Sequence, residues 1–334
     1  MTAAPPSSRD RADACPGALQ THAAADGALA RVRLPGGAVT AAQLRVLAAA
    51  ARDLGDGALE LTSRGNVQLR GLADGAAAEL GPRLAAAGLL PSAPHERVRN
   101  VLASTLSGRA GGAADVRPWV AAFDAALCAD PALAGLPGRF LVTMDDGRGD
   151  VAGLGGDVGL LALHGGTVAL TLAGSDTGLR ATLDGAVGLA LAAAHAFVAE
   201  RAAQGNTAWR LSDLADGPRR VAARLAGEAG PLVAVPPAPV AGPVGAVRQD
   251  DGRTALVGVV PLGRMSRDQA DLLARLAETV QLTPWRSVVV PDLADEAVDD
   301  AAVDLHRTGM VFDEDSPWVW VSACAGRPGC AKAL

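Results

Sequence analysis

The stretch Leu59-Glu-Leu-Thr-Ser-Arg-Gly-Asn-Val-Gln-Leu-Arg-Gly-Leu72 decides how the chain is read. Its apolar residues Leu59, Leu61, Val67 and Leu69 recur at even spacing around a polar centre. That is the period of a strand that lays one face on a core. Arg64 and Asn66 fall in its middle, where a strand serving only packing carries Val or Ile. Gly65 lets a ligand or another backbone approach closely.

Before this stretch, residues Ala30–Leu34 read as a strand closed by Pro35-Gly36-Gly37. Thr40-Ala-Ala-Gln43 has the form of a capping box, opening a helix that runs to about Leu54 and stops at Gly55. A second helix follows at roughly Gly75–Ala87. The plan then returns. Val257-Gly-Val-Val-Pro261-Leu-Gly263 precedes Ser266-Arg-Asp-Gln269, again a capping box, and then Leu282-Thr-Pro-Trp-Arg-Ser-Val-Val-Val290. Pro35 maps to Pro261 and Gln43 to Gln269, an offset of 226 (261 − 35, 269 − 43), while Leu61 maps to Leu282, an offset of 221 (282 − 61). A β-α-β unit has therefore been duplicated, with the second helix-to-strand loop five residues shorter (226 − 221).

Duplication separates scaffold from site. The copies share Pro, Gly, caps and apolar positions, but Arg33 becomes Val259 and Arg64 becomes Trp285. Arginines needed for the scaffold would stand in both copies. Arg33, Arg64 and Arg99, with Arg139 as a fourth, form the candidate anion-binding set, because guanidinium groups pair bidentately with carboxylates. Asn66 joins them as a candidate substrate-binding residue.

Between the copies, about Val98 to Glu228, a helix is expected near Val116–Ala129. Strands are expected near Phe140–Met144, Gly159–Leu163 and Val168–Ala173, and helices at about Ala181–Gln204 and Arg219–Glu228. Pro231, Pro236, Pro237, Pro239 and Pro243 mark a stiff linker. The fold class is α+β. The expected division is a disordered tail over 1–14, a half-domain over 15–95, an α+β half over 96–229, a linker over 230–246, a second half-domain over 247–315, and the start of a second α+β half over 316–334.

With 334 residues and 49% hydrophobic content the chain has material for several cores. Aromatics are 3% and Tyr is absent, so Leu, Val and Ala must fill them. The formal charge of −6 argues against a general nucleic-acid binder. Lys332 is the only lysine, so nearly every cation is an arginine. Met1 to Asp13 has no signal-peptide pattern. Residues 185–203 are Ala-rich and carry His195, Glu200 and Arg201, which reads as a soluble helix rather than a membrane span. A cytoplasmic location is expected.

The four cysteines, Cys15, Cys128, Cys324 and Cys330, form no disulfide framework. Cys128 reads as a core residue and Cys15 as a loop cysteine. Cys324-Ala-Gly-Arg-Pro-Gly-Cys330 spaces two thiols by five residues, wider than zinc ribbons use. A Gly/Pro-rich loop of this kind suits an iron–sulfur cluster, whose sulfurs accept backbone N–H groups. Gly153-Leu-Gly-Gly-Asp-Val-Gly159 lacks the dinucleotide spacing, and His22, His95, His164, His195 and His306 show no metal spacing.

Taken together, Asp13-Ala-Cys-Pro-Gly17, Arg31-Val-Arg-Leu-Pro-Gly-Gly37, Leu61-Thr-Ser-Arg-Gly-Asn-Val-Gln-Leu69, Arg97-Val-Arg-Asn-Val101, Leu136-Pro-Gly-Arg-Phe140 with Asp145-Asp-Gly147, and Ser322-Ala-Cys through Cys330 resemble the nitrite and sulfite reductase superfamily. Within it they are most similar to the precorrin-3B synthases. The resemblance implies duplicated ferredoxin-like half-domains joined to α+β catalytic halves. It also implies that Arg33, Arg64 and Arg99 surround a tetrapyrrole, and that Cys324 and Cys330 are the first pair of ligands to a [4Fe–4S] cluster. The family's second pair, Cys-x3-Cys, is not in this sequence. The reductases carry a basic pair at the positions of Arg139 and Leu141, and Leu141 breaks it.

The synthase likeness implies O₂-dependent hydroxylation of precorrin-3A at C20 with lactone formation. It also implies a mononuclear iron of unknown ligands and an electron donor such as NADH or a reductase, with neither nucleic acid nor membrane as partner. The alternatives are a sirohaem-dependent nitrite or sulfite reductase and a non-catalytic tetrapyrrole-binding remnant.

Overall fold

A computed structural model describes Asp13, residues 15–323 and residues 325–329. The expected tail over 1–14 therefore lies almost wholly outside the described residues, as do Cys324 and Cys330. The chain forms two compact units: one holds Arg97–Pro239 together with Asp13 and Cys15, the other Pro16–Glu96 with the chain from Val240 onward.

The discontinuous unit contains both copies of the repeat, each an antiparallel five-stranded sheet. The first sheet runs in the order His22–Ala24, Gly27–Val32, Val67–Leu72, Leu59–Leu61, Arg264–Met265. The second runs Gly245–Arg248, Thr254–Val259, Ser287–Leu293, Thr279–Leu282, Ala38–Thr40. The outermost strand of each sheet belongs to the other copy. Met265 lies opposite Leu59, and Val39 opposite Val280. This exchange covers two sheet edges that would otherwise present unpaired backbone groups.

Both capping boxes form. Thr40 Oγ1 accepts from Gln43 N at 3.2 Å while Gln43 Oε1 accepts from Thr40 N at 3.0 Å. Ser266 and Gln269 do the same at 3.2 and 2.8 Å. The capped helices Ala41–Leu54 and Arg267–Leu276 pack against each other. Leu44 and Leu47 from one and Leu273 from the other enter a single core with Val67, Leu69, Val288 and Val290. Each fully buried leucine or valine stabilises the fold by about 1.5–3 kcal/mol, so the copies share one core rather than holding two small ones.

The opening stretch is not one strand. Leu59–Leu61 and Val67–Leu72 are the two arms of a hairpin, with Leu61 opposite Val67. Even apolar spacing continues across the turn, which is why the period alone does not reveal it. Thr62 O accepts from Gly65 N at 3.1 Å, Thr62 N donates to Asn66 O at 2.9 Å, and Gly65 takes φ +62. Arg64 therefore stands at a hairpin tip, not in a strand.

The other unit is built on a six-stranded sheet in the order Glu228–Ala229, Ser175–Thr182, Thr167–Leu172, Val158–Leu163, Val142–Asp145, Val101–Ala103. The last three strands are parallel and the rest antiparallel. Helices Arg117–Ala129 and Ala186–Ala203 pack on it through Phe123, Leu127, Ala193 and Phe197. Ala186–Ala203 is long and apolar enough to cross a membrane by length and composition, yet its inner face is part of this core.

Two expectations are corrected here. The helix expected from Ala181 starts at Ala186, because Ser175–Thr182 is a strand that returns from Ala173 and Gly174, both at positive φ (48° and 80°). The helix expected over Arg219–Glu228 ends at Ala222, and Glu228 pairs with Arg180 instead. The part of the proline-rich connection up to Pro239 belongs to this unit: a Cβ on Gly149 would meet the Pro236 ring at 2.6 Å.

Candidate functional site

A cleft of about 600 Å³ opens in the discontinuous unit. The first copy contributes Arg31, Arg33, Thr62, Arg64, Asn66 and Arg70, and the second contributes Leu262, Gly263, Arg264 and Arg286. Six guanidinium groups line it and Glu60 is the only acid among its lining residues. A low-dielectric wall carrying several cations of one sign focuses field into the cleft, which favours an anion there.

Local structure places each group. Thr62 Oγ1 accepts the backbone N–H of Arg64 at 3.3 Å and of Asn66 at 3.1 Å, which holds the hairpin tip. Asn66, 1% exposed, accepts the Leu34 N–H at 2.8 Å through Oδ1. Arg33 precedes Leu34 and is itself 2% exposed. The side chain proposed as a substrate contact thus ties the Arg64 turn to the Arg33 strand end. Gly37 closes the same corner: a Cβ there would collide with the Leu282 carbonyl oxygen.

Several of the six cations have partners within the protein. Arg31 donates to Gln68 Oε1 from Nε at 3.0 Å. Arg70 grips Asp26 through Nε and Nη2 at 3.1 and 3.0 Å and donates to the Gly329 carbonyl at 2.9 Å. Arg264 pairs with Asp56 at 2.9 Å. Arg70 therefore fastens the segment Ala325–Gly329, which lies between Cys324 and Cys330 in sequence, and Ala323 and Ala325 line the cleft. The two thiols themselves lie outside the described residues.

Arg99 and Arg139 belong to the other unit. Arg99 makes a bidentate pair with Asp124, 2.7 Å on each arm. Arg139 stacks over Trp209 at 4.7 Å and lies 3.4 Å from Asp13. Leu141 is buried with Leu102 and Val151. Cys128 sits on the helix Arg117–Ala129, and burial raises its thiol pKa, with the Asp124 charge adding. Cys15 is buried, and its N–H donates to Asp13 at 3.0 Å.

Sequence reasoning missed Arg31, Arg70, Arg264 and Arg286 as lining residues. Arg31 and Arg70 were visible as strand residues of the same phase as Arg33 and Gln68 once the hairpin was known. Arg264 and Arg286 carry no such signal, because only the strand exchange brings the second copy to this cleft.

A [4Fe–4S] cluster takes four thiolates; Cys324 and Cys330, the pair expected from the sequence to supply two, lie outside the described residues. For a tetrapyrrole the donor set suits the anionic arms: six guanidiniums line the cleft, two of them paired with Asp26 and Asp56.

Comparison with known proteins agrees with this architecture. Residues 22–87 and 247–307 each match the nitrite/sulfite reductase ferredoxin-like half domain. A segment of 77 residues, 23% of this chain, is 44% identical to a precorrin-3B synthase from Sinorhizobium sp. and spans 16% of that protein. The solved structure of the Mycobacterium tuberculosis NirA protein superposes with a TM-score of 0.74 at 23% identity, over 90% of this chain and 60% of that one. The matches span 16% of the synthase and 60% of NirA, under two thirds of each, and the likeness to NirA is one of fold. It is an α+β protein carrying two nitrite/sulfite reductase ferredoxin-like half-domains.

Proposed function

We propose that the chain is the tetrapyrrole-binding part of an oxidoreductase of the precorrin-3B synthase type, acting on precorrin-3A in aerobic cobalamin synthesis. The arginine-lined cleft beside the segment between Cys324 and Cys330 carries this reading. A precorrin bears many carboxylates, and six arginines gathered round one cleft in a protein of net charge −6 support such a ligand.

In this reading Arg33 and Arg64 bind the acid arms from the first copy. Thr62 and Asn66 orient them, and Arg70 holds the cysteine-flanked segment against the cleft. An iron–sulfur cluster, when bound, supplies electrons one at a time. The reaction is O₂-dependent hydroxylation at C20 with lactone closure from an acetate arm, driven by a donor such as NADH or a reductase.

A second reading has one observation in its favour. The fold is that of NirA; in this second reading the chain is part of a sirohaem-dependent nitrite or sulfite reductase, with the cleft as the place for that tetrapyrrole. Against it stands Leu141, a buried aliphatic residue where the reductases' basic pair is expected.

Incubating the protein with precorrin-3A, O₂ and reductant and looking for the hydroxylactone by mass spectrometry tests the first reading. Purification with a bound sirohaem chromophore and no hydroxylactone supports the second.

A further inference from the structure

The two copies share a turn but differ in what it carries. In the first copy Leu61 pairs with Val67, and Gly65 between them takes φ +62. In the second, Leu282 pairs with Val288, and Arg286 occupies the matching position with φ +59. The neighbouring turn repeats the pattern. Gly36 and Gly37, at +65 and +73, correspond to Leu262 and Gly263, at +58 and +68.

Left-handed backbone is disfavoured for any residue with a Cβ, and glycine is the default where it is needed. The second copy keeps the conformation and gives up the glycine. Strain of this kind persists where the surroundings hold it, and it gathers at ligand sites.

What the arginine does is visible from its course. Its stem crosses Gly263, where a Cβ would lie 2.5 Å from Arg286 Cδ, so the glycine there leaves the path open. Arg286 lines the same cleft as Arg33 and Arg64. Arg70 and Arg264 of that cleft are paired with Asp26 and Asp56. No ion pair or side-chain hydrogen bond engages Arg286 among the described residues. A packing role would not require a charged head on a strained backbone facing other cations.

We infer that Arg286 is a specificity-determining residue of the cleft, binding a ligand carboxylate from the second copy while Arg33 and Arg64 bind from the first. This rests on the tetrapyrrole reading above. The ligand class it selects is a macrocycle with acid arms on more than one side.

The test uses uroporphyrin, an octacarboxylate tetrapyrrole, as probe. Fluorescence titration and thermal melting compare the whole chain with Arg286→Gly and Arg286→Lys. The glycine variant is expected to melt at or above the temperature of the unsubstituted protein, since strain leaves with the side chain. It is expected to bind uroporphyrin about tenfold or more weakly, with the lysine variant in between. Undiminished binding by Arg286→Gly, where the unsubstituted protein binds, overturns this inference and leaves the tetrapyrrole reading standing. A melting temperature lower by about 5 °C makes Arg286 a packing residue and also overturns it. Failure of the unsubstituted protein to bind uroporphyrin removes the underlying reading, and this inference with it.

Discussion

Asn66 Oδ1 accepts the Leu34 N–H at 2.8 Å, and this bond ties the hairpin tip bearing Arg64 to the strand end bearing Arg33. Both groups are buried, so removing the acceptor leaves an amide without water or partner. Asn66→Ala is expected to lower stability by about 1–3 kcal/mol and to weaken tetrapyrrole binding, although the side chain removed carries no charge. Denaturant unfolding and ligand titration of the variant check both effects. Unchanged stability would mean that the bond does not hold the corner together.

Gly37 makes the same corner sensitive to a single methyl. Its φ is +73, and a Cβ there runs into the Leu282 carbonyl. Backbone must move on both sides, across the junction of the two copies. Gly37→Ala is expected to cost roughly 3 kcal/mol or more, combining left-handed strain with overpacking. Gly57→Ala is the comparison, since that glycine is also left-handed, φ +84, but its Cβ meets nothing within 4 Å. It should cost about 1 kcal/mol.

Arg70 couples the sheet to the segment Ala325–Gly329 through the Gly329 carbonyl. Arg70→Met keeps most of the apolar stem and removes the donors. Backbone amide exchange over 325–329 is expected to rise by roughly tenfold or more, while the strands Gly27–Val32 and Val67–Leu72 keep their protection. Equal loosening of strands and segment would make Arg70 a general structural residue rather than a clasp.

Asp150 gives the other unit a pH dependence. Burial pushes its carboxyl up to about 6; Ser104 and Thr105 hydrogen bonds oppose the shift and the Asp145 charge adds to it. An aspartate in the unfolded chain titrates near 4, so the folded state holds this proton more tightly. Its contribution to stability is fully present below about pH 4 and is lost as pH rises through 6. Asp150→Asn should therefore gain on the unsubstituted protein by roughly 1–3 kcal/mol between pH 4 and 7, measured as the difference between their unfolding curves. A difference that does not change with pH would remove the assignment.

Much of this was written plainly in the sequence. Both capping boxes, the stop at Gly55 and the offsets of 226 and 221 reappear as paired backbone, with Val32 opposite Val67 and Gly258 opposite Val288. Those signals are local: a cap or a period needs only its neighbours. What stayed hidden was non-local or masked by composition. The hairpin within Leu59–Leu72 keeps strand periodicity through its turn. The strand Ser175–Thr182 precedes an alanine-rich helix without an Asn-Gly turn to announce it. The exchange of Ala38–Thr40 and Arg264–Met265 between sheets, which brings Arg264 and Arg286 to the cleft, depends on how two copies meet. Arg33 and Arg64, which duplication had set apart because the second copy lacks them, line the cleft, whereas Arg99 lies outside the repeat, had no such internal control and is paired with Asp124.

The central claim is that arginines of the first copy grip an acid-rich macrocycle, and the most direct measurement is precorrin-3A binding by Arg64→Ala beside the unsubstituted protein, with circular dichroism on both. Arg64 is half-buried at a hairpin tip whose turn is held by Thr62 and Asn66, so the fold should survive its loss. The account predicts identical spectra and binding about tenfold or more weaker. Undiminished binding, or binding lost only because the variant unfolds, would contradict it.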